Sequence, residues 1–316
     1  MRAGTLAYAG VLAAVLALGA ARLVLAPPRS ATIRVASLTV TPAARLSPWD
    51  LLQHESKGAA LDSLCADLRA HEDSLFAGVR REAAAGARIV AWSEVGAFVL
   101  KEDEASFRER AAAVAREAGV HLIAGVAVFT PGHGYYENEL MAFDPSGAMV
   151  ARYHKARPVP GDPERGADRA IPVFDTALGR IAGAVCFDAD FPGVIGKAGR
   201  ARADLLVIPA SDWRAIDPVH TRMALVRGVE NGCSVIRQTN KGLSAAADYQ
   251  GRILAASDYF HTDPHVMVAQ LPSRGVRTIY PLAPSLFPYL CLAWLGTIAA
   301  VAAMRRRKPL TEPEAS

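Results

Sequence analysis

The stretch Gly-Arg-Ile-Ala-Gly-Ala-Val-Cys-Phe-Asp-Ala-Asp-Phe-Pro, residues 179–192, decides how this chain folds and which chemistry it offers. Its apolar first half predicts a buried strand, and its polar second half predicts a turn that presents Cys186 at the end of that strand. A lone cysteine after an apolar run is more often a packed side chain than a reactive one. The rest of the sequence therefore has to decide between a buried thiol and a presented one.

Two other polar residues stand at the ends of similar apolar runs. Glu94 follows Ala-Arg-Ile-Val-Ala-Trp-Ser, and Lys155 follows Ala-Met-Val-Ala-Arg-Tyr-His. A cysteine nucleophile needs a base to take its proton, and the oxyanion that it creates needs a positive or hydrogen-bonding group. Glutamate, lysine and cysteine can supply these roles. The presence of Glu94 and Lys155 at equivalent positions therefore favours the interpretation of Cys186 as a nucleophile.

Short apolar runs alternate with helical patterns along the body of the chain. Strands are expected at residues 32–41, 87–92, 121–129, 180–186, 204–209 and 234–239, and helices at 61–85, 105–118, 193–202 and 219–232. Turn signals predict a hairpin of 139–143 with 149–153 and a last hairpin that turns at 249–251. This order predicts a single α/β domain with the layers of a sandwich.

Three fragments resemble the Glu-Lys-Cys triad of the nitrilase, or carbon-nitrogen hydrolase, superfamily in their order and separations. They are Trp92-Ser93-Glu94, Tyr153-His154-Lys155 and Val185-Cys186-Phe187-Asp188. The resemblance covers the body, so residues 31–280 are expected to form a carbon-nitrogen hydrolase domain with a four-layer αββα sandwich. It implies that Glu94 is the general base, Lys155 the oxyanion stabiliser and Cys186 the nucleophile that forms an acyl thioester. A backbone N–H after the nucleophile is expected to assist Lys155.

Within this superfamily the chain most resembles the catalytic domain of the apolipoprotein N-acyltransferases. The likeness rests on Asp-Pro-Ser-Gly at 144–147, the run from His220 to Gly232, Arg-Gln-Thr-Asn-Lys-Gly-Leu-Ser at 237–244, and Thr-Ile-Tyr at 278–280. It implies a phospholipid acyl donor and a lipoprotein amine acceptor, and no cofactor.

The family often has a second acid near the lysine, at the end of a Val-Pro-x-Gly-Glu loop. Here the loop reads Val-Pro-Gly-Asp-Pro-Glu at 159–164, one residue longer, so Glu164 is the candidate auxiliary acid and Asp162 competes with it. Phe187 stands where the acyltransferases commonly have tyrosine. Phe187, Asp188 and Trp213 are candidates for substrate binding, while a turn-forming role for Asp188 and a packing role for Trp213 stay equally open.

The two ends of the chain are more apolar than the body. Residues 283–304 carry no charge and are long enough to cross a hydrocarbon layer of about 30 Å, so a transmembrane helix is expected there. Residues 1–28 hold a second apolar run, interrupted by Arg22, which is expected to be an uncleaved anchor or a cleavable signal. These two segments are expected to hold the site near phospholipid.

The basic run from Arg305 to Lys308 sets the expected orientation. Short basic flanks stay on the cytoplasmic side, so the tail of residues 305–316 is expected to be cytoplasmic. The catalytic domain is then expected on the outer, periplasmic or extracytoplasmic side of a bacterial-type plasma membrane. The same four residues account for the whole formal net charge of +4, and the balanced body gives no electrostatic footprint for nucleic acid.

The cysteine and histidine positions argue against a metal site. The four cysteines form no Cys-x-x-Cys pair, which argues against a zinc ribbon or a redox dithiol and leaves the pairing of Cys65 with Cys233 open. His261 and His265 lie in a loop without further ligands, so no metal site is predicted.

Three functions remain after this reasoning. The leading one is a membrane-anchored thiol enzyme that transfers an acyl group to or from nitrogen, as in lipoprotein N-acylation. The acyltransferases have a multi-helix membrane bundle ahead of the catalytic domain, whereas one apolar segment precedes it here. This difference keeps open a membrane-tethered amidase or nitrilase that hydrolyses a small amide or nitrile. A non-catalytic membrane scaffold is the third hypothesis, and the sequence leaves the oligomeric state open.

Overall fold

The computed structural model describes residues 2–41, 59–130, 132–166 and 168–306. The helices are α1 (Arg2–Leu25), α2 (Ala59–Ala84), α3 (Glu104–Ala118), α4 (Pro192–Arg200), α5 (Val219–Asn231) and α6 (Leu286–Arg306). The strands are β1 (Thr32–Leu38), β2 (Ile89–Trp92), β3 (Ala97–Leu100), β4 (His121–Phe129), β5 (Tyr136–Phe143), β6 (Met149–His154), β7 (Glu164–Arg165), β8 (Val173–Thr176), β9 (Gly179–Gly183), β10 (Leu205–Ser211), β11 (Ser234–Asn240), β12 (Leu243–Ala247), β13 (Ile253–Asp258) and β14 (Val266–Pro272). Short 3₁₀ segments lie at Lys101–Asp103, Cys186–Asp190 and Tyr280–Leu282.

Two sheets form the inner layers of the sandwich. The first has the order β14-β1-β2-β4-β5-β6, with β3 beside β4 and β7 beside β5, and the second has the order β13-β12-β11-β10-β9-β8. The strands β1, β2 and β4 run parallel in the first sheet, as do β9, β10 and β11 in the second. Helices α2 and α3 pack on the first sheet, and α4 and α5 on the second. The predicted four-layer αββα sandwich is confirmed.

The buried apolar side chains explain why the central strands read as continuous apolar runs. All nine residues of β4 are buried, because one face of that strand meets the second sheet and the other meets the helices. Side chains such as Ile123 and Val207 fill the space between the sheets. Aromatic rings of Phe76 and Trp92 join α2 to the first sheet, with their centroids 5.5 Å apart.

The parallel strands of both sheets end at the same edge of the sandwich. There the Glu94 N–H, just after β2, donates to the Ala210 carbonyl in β10 at 3.2 Å. We call this edge the carboxyl end and the opposite edge, where β1, β10 and β11 begin, the basal end. Because loops that follow parallel strands converge at one edge, polar side chains from both sheets meet at the carboxyl end.

A turn of residues 93–96 interrupts what would otherwise be one long strand. Both β2 and β3 pair with β4, on either side of Gly125. The turn passes so close to Gly125 that a Cβ there would overlap the Ser93 carbonyl oxygen and lie 2.9 Å from the Glu94 Cα. Val95 has a φ of 50°, in the left-handed region. Glycine at position 125 thus leaves the room in which the chain lifts Glu94 out of the sheet.

The expected strands and helices are present, with small shifts at their ends. The largest correction concerns the strand expected at 180–186, which ends at Gly183, so that Cys186 opens a 3₁₀ turn instead of closing the strand. Sequence reasoning missed β3, β8, β14 and the two-residue β7. Strands β3 and β8 are only four residues long, and β14 is an antiparallel neighbour of β1 that is remote in sequence. The strand expected to reach residue 41 ends at Leu38.

Two helices, Gly4–Leu25 and Leu286–Met304, are long and apolar enough to cross a membrane. Neither is buried against the sandwich. Of the predicted basic flank, Arg307 and Lys308 lie outside the described residues, as does the rest of the tail.

Both apolar helices join the sandwich at its basal end. Helix α1 leads into Thr32, the first residue of β1, which pairs with Pro272, the last residue of β14. Residues 273–282 then run beneath the second sheet, where the Gly275 N–H donates to Asp204 just ahead of β10 at 2.9 Å. Helix α6 begins four residues later, at Leu286. The site residues at the carboxyl end therefore lie at the opposite end of the domain from both helices.

We expect Gly125→Ala to destabilise the protein by about 2–3 kcal/mol, because an added methyl in a filled core forces its neighbours to shift. The displaced neighbour is the Glu94 turn itself, so activity should fall as well. The measurement is urea unfolding of the full chain in detergent, followed by tryptophan fluorescence. The matched control is Gly193→Ala, where an added Cβ meets no atom within 4 Å. Equal stability of the two variants would contradict this role of Gly125.

Candidate active site

Glu94 and Lys155 form a buried ion pair at the carboxyl end. The Lys155 Nζ donates to Glu94 Oε1 at 2.8 Å, and the two side chains are 1% and 3% exposed. Lys155 directly follows β6, and its backbone N–H donates to the Asn138 carbonyl in β5 at 2.9 Å. The β5–β6 hairpin therefore fixes where the ammonium lies.

Glu164 lies against the same ammonium group. Its Oε1 and Oε2 are 3.0 and 2.8 Å from Lys155 Nζ. The Asn138 side chain donates to Glu94 Oε1 at 2.8 Å and to Glu164 Oε1 at 2.9 Å, so it spaces the two carboxylates. Of the two acids that the sequence left open, it is Glu164 rather than Asp162 that bonds to the lysine. Sequence reasoning missed Asn138, whose signal is an amide inside a buried strand.

The electrostatics of this cluster keep the lysine charged. Burial by itself lowers the pKa of Lys155, but the negative charge of Glu94 and the charge and hydrogen bond of Glu164 outweigh it and hold the pKa above its usual range. Burial and the nearby charge of Glu94 raise the pKa of Glu164. The cluster therefore pairs one ammonium with two carboxyl groups, and Glu164 holds a proton more readily than an ordinary glutamate.

Cys186 opens the 3₁₀ segment Cys186–Asp190, which we call the thiol turn. Its φ of 41° lies in the left-handed region, which non-glycine residues rarely adopt. The residue is 3% exposed, and its Sγ lies 3.6 Å from the Ser211 carbonyl oxygen. Burial and the charge of Glu94 raise the pKa of the thiol well above its usual value, against the opposing effect of Lys155. The resting thiol is therefore protonated and needs a base.

Ser211, the last residue of β10, links the thiol to the carboxylate. Its backbone N–H donates to Glu94 Oε2 at 2.8 Å, while its carbonyl accepts from the Cys186 Sγ. The other oxygen of Glu94 is held by Lys155 and Asn138. The backbone of Ser211, in the second sheet, thus links the Glu94 carboxylate of the first sheet to the thiol.

Asp188 is fully buried and holds the thiol turn in place. Its Oδ2 accepts from the Val185 N–H at 3.1 Å and from the Tyr153 hydroxyl at 2.8 Å, and its Oδ1 accepts from the Arg157 N–H at 2.9 Å. Tyr153 and Arg157 flank Lys155 in the sequence. These contacts agree with the turn-forming role that the sequence left open for Asp188. They also join the thiol turn to the segment that carries Lys155.

The two aromatic candidates lie beside the thiol turn. The ring of Phe187 packs against Phe191 with the centroids 5.1 Å apart. Trp213, which follows β10, is 47% exposed and meets the His220 ring edge-on at 5.8 Å. Trp213 therefore has free surface that a substrate can cover, whereas Phe187 contacts neighbouring side chains.

A second buried charge network lies next to the thiol, and sequence reasoning did not assign it to the site. His220, on α5, contacts Asp212 Oδ1 through Nδ1 at 3.1 Å and Asp190 Oδ2 through Nε2 at 3.2 Å. Arg237, in β11, makes two bonds to the Asp212 carboxylate, at 2.8 and 2.9 Å. The Cys186 Sγ, an Asp212 oxygen and a His220 ring nitrogen all lie within 4.8 Å of one another.

The charges of this network balance one another. Hydrogen bonds to Asp190 and Asp212 raise the pKa of His220 to about 9. Burial favours a higher pKa for Asp212, but bonds from His220 and Arg237 outweigh it and lower the pKa. Two carboxylates thus face one imidazolium and one guanidinium. Because both ring nitrogens of the charged His220 carry protons, the ring has no lone pair to offer a metal ion.

The model of the carbon-nitrogen hydrolase family matches residues 20–280, which include the whole Glu94, Lys155 and Cys186 cluster. The chain belongs to the carbon-nitrogen hydrolase family. The nitrilase-superfamily resemblance drawn from the three fragments is confirmed, and so is the expectation of an enzyme of this superfamily.

Curated relatives of this family member include several apolipoprotein N-acyltransferases. The chain is 27% identical over 255 residues to the one from Geobacter metallireducens. The aligned region covers 72% of this chain and 48% of the relative. It is 27% identical over 215 residues to the one from Chlorobaculum tepidum, which covers 58% of this chain and 40% of the relative. The chain thus spans about half the length, or less, of these relatives.

A solved structure shares the fold of this family member. The amidase from Nesterenkonia sp. superposes with a TM-score of 0.60 at 18% sequence identity, covering 78% of this chain and 92% of the amidase. At this identity the likeness shows the fold alone.

We expect the stability of the protein to depend on pH through His220. Its folded pKa of about 9 lies above the unfolded value of 6.5, so its stabilisation is complete below pH 6.5 and is lost as the pH rises through 9. The wild type should therefore lose stability relative to His220→Gln over this range. The difference between their free energies of unfolding should change by about 3 kcal/mol. Urea unfolding at a series of pH values measures this difference.

The exposed His261 supplies the control for this prediction. His261→Gln should leave the wild-type pH dependence unchanged, since that ring is 71% exposed. Parallel pH profiles for wild type and His220→Gln would show that His220 is not held in its charged form.

Proposed function

We propose that this carbon-nitrogen hydrolase is a membrane-anchored thiol enzyme that transfers an acyl group to a lipoprotein amine through a thioester on Cys186, with a phospholipid as donor. The observation that carries the proposal is the buried cluster in which Glu94, Lys155 and Cys186 meet. The similarity to apolipoprotein N-acyltransferases supports this choice of substrates. The proposal extends to this chain an activity named for a relative of which the match covers 48%.

In the first half of the reaction, Glu94 takes the thiol proton as Cys186 attacks the acyl carbon. The electron pair of the carbonyl moves to its oxygen, where the ammonium of Lys155 stabilises the oxyanion, a contribution of roughly 3 kcal/mol per donor in comparable sites. When the oxyanion collapses, the bond to the leaving group breaks and Glu94 returns its proton to that group. The product is an acyl thioester on Cys186.

In the second half, an amine attacks the thioester carbon and gives its proton to Glu94. The thiolate leaves and regains that proton, which restores the resting state with a protonated thiol. Glu164, whose pKa is raised, serves as the auxiliary acid that keeps the Lys155 ammonium in place while Glu94 changes charge. A backbone N–H of the thiol turn is the second proposed donor to the oxyanion.

The two apolar helices support membrane anchoring. Their lengths of 22 and 19 residues are sufficient for a bilayer core of about 30 Å. The basic run from Arg305 to Lys308 supports a cytoplasmic carboxyl terminus and a catalytic domain on the outer face. The proposed domain arrangement is an anchor or signal at 1–28, the hydrolase domain at 31–280, a membrane helix at 283–304 and a tail at 305–316.

A membrane-tethered amidase is the second candidate function, and the position of the site favours it. The cluster lies at the carboxyl end, whereas both helices join the basal end. The seven residues of β10 span this distance, about 20 Å at roughly 3.3 Å per residue. A small water-soluble amide reaches such a site from solution, while a phospholipid has to rise out of the bilayer to meet Cys186.

We expect the purified full chain to gain the mass of one acyl group when it is incubated with phosphatidylethanolamine, because the lipoprotein amine proposed to accept the acyl group is left out. Intact mass spectrometry measures the adduct. Cys186→Ala should show none, and Cys233→Ala, which alters another buried free cysteine, should behave like the wild type. Absence of the adduct together with turnover of small amides would replace the acyltransferase by the amidase. Equal complementation by wild type and Cys186→Ala in cells would instead favour the non-catalytic scaffold.

We expect a reporter fused after Ser316 to behave as cytoplasmic and one inserted into the hairpin turn at residues 144–147 to behave as exported. The basic flank of the last helix is the reason. Paired phosphatase and fluorescent-protein fusions measure both positions. The opposite pattern would reverse the proposed orientation of the domain.

A further inference from the structure

A basic cleft of about 450 Å³ lies at the basal end, at the point where α6 leaves the sandwich. Its walls are the end of α4, the start of β10 and the segment of residues 275–282 that leads to α6. Its lining includes Arg200, Arg202, Arg277, Asp204, Gly275 and Leu282. The cleft is remote from Cys186, so the reaction proposed above makes no use of it.

Three exposed arginines give the cleft its charge. Arg200 donates from Nη1 to the Pro281 carbonyl at 3.3 Å, which leaves most of its five N–H donors for other partners. Within the part of the chain that the structure describes, none of Arg200, Arg202 and Arg277 forms an ion pair with a carboxylate. Guanidinium groups bind phosphate oxygens through paired, charge-assisted hydrogen bonds, so three of them around one cleft suit a phosphate group.

The one acid in the cleft is already engaged by the fold. Asp204 accepts from the Gly275 N–H at 2.9 Å, from the Arg180 N–H at 2.8 Å and from the Arg274 guanidinium at 3.3 Å. Its side chain is 17% exposed. The carboxylate therefore holds the floor of the cleft together and leaves the three arginines at the mouth unneutralised.

Arg202 has a strained left-handed backbone at a position where two other helices of the domain end in glycine. Arg202 has a φ of 58° just after the end of α4. The helices α3 and α5 end with Gly119 and Gly232 in the same left-handed conformation, at φ of 64° and 71°. Glycine is the usual residue there because it has no Cβ to clash. An arginine in this position is therefore less favourable for stability than a glycine, and it places a charged side chain at the mouth of the cleft.

Apolar side chains continue from the cleft towards the apolar helix. Ile279 is 80% exposed and Leu282 is 78% exposed, and α6 begins four residues after Leu282. A free phosphate ion would not use such a surface. A phosphate that carries acyl chains fits both parts, because its headgroup meets the arginines while its chains follow α6.

We propose that this basal cleft binds the headgroup phosphate of an anionic phospholipid and thereby seats the domain on the membrane surface. The inference rests on the membrane anchoring proposed above and is independent of the reaction at Cys186. Occupation of the cleft holds the basal end against the headgroups and the carboxyl end away from them. The bound lipid is therefore a docking ligand and lies too far from the thiol to be its acyl donor.

The test is native mass spectrometry of the delipidated full chain, titrated in detergent with phosphatidylglycerol. Arg202→Gln/Arg277→Gln should weaken the tightest binding event at least tenfold. The matched control, Arg80→Gln/Arg116→Gln, removes the same charge from the outer faces of α2 and α3 and should bind like the wild type. Glycerol 3-phosphate, which has the phosphate without acyl chains, should compete at least a hundredfold less well than the lipid.

Arg202→Gly separates a docking role from a structural one. Glycine relieves the left-handed strain, so this variant should unfold at a higher urea concentration than the wild type and still bind phosphatidylglycerol more weakly. A variant that is less stable and binds lipid normally would overturn the proposal. So would equal lipid binding by the two double variants, and equal competition by glycerol 3-phosphate would make the cleft a site for soluble phosphates.

A reactivity measurement keeps this inference distinct from the proposed function. Acylation of Cys186 by a water-soluble activated ester in detergent should proceed at the wild-type rate in Arg202→Gln/Arg277→Gln. If phosphatidylethanolamine fails to acylate Cys186 while phosphatidylglycerol still binds through the arginines, the acyltransferase proposal fails and the docking cleft stands. The reverse pattern would remove the docking cleft alone.

Discussion

The ammonium group of Lys155, buried between two carboxyl groups, is the constraint on which the rest of the site depends. An isolated charge in a protein interior is strongly unfavourable, and it becomes tolerable only when opposite charges and hydrogen bonds surround it. Glu94 and Glu164 supply the charges, and Asn138 holds them apart. Each partner comes from a different segment of the first sheet. The cluster therefore forms only when the segments that carry Glu94, Asn138, Lys155 and Glu164 have come together in the folded first sheet.

The thiol is placed between two charge networks that have different tasks. On one side the Glu94 and Lys155 pair carries the proposed proton transfer and oxyanion stabilisation. On the other side the network of Asp190, Asp212, His220 and Arg237 joins the thiol turn to α5 and β11, with two carboxylates facing two cations. The two members of this network that act on the thiol oppose each other, since Arg237 lowers the pKa of Cys186 and Asp212 raises it. The raised pKa of the thiol then follows mainly from burial and from the charge of Glu94.

The cluster of Glu94, Lys155 and Cys186 and the two apolar helices lie at opposite ends of the sandwich. Parallel strands deliver the reactive side chains to the carboxyl end, and the same strands begin at the basal end, where both apolar helices and the basic cleft lie. A chain that enters and leaves at one edge of a sheet necessarily places its anchors on the side opposite to the loops that follow the strands. The proposed seating on the membrane and the proposed chemistry are thus two consequences of one topology.

The sequence by itself determined the layers of the fold, the family resemblance of the fragments around Glu94, Lys155 and Cys186, and the two apolar ends, because each depends on residues close together in the chain. Apolar runs of strand length, helical spacing and three short fragments in a fixed order are readable without knowing which residues touch. It did not reveal the short β3 beyond the Glu94 turn, whose placement depends on Gly125 in another strand. The choice between Asp162 and Glu164, the turn-holding contacts of Asp188 and the charge network of His220 were decided only by the tertiary structure. The physical reason is that each depends on distances between side chains far apart in the chain, and burial makes those distances decisive by removing the water that would otherwise screen and satisfy the charges.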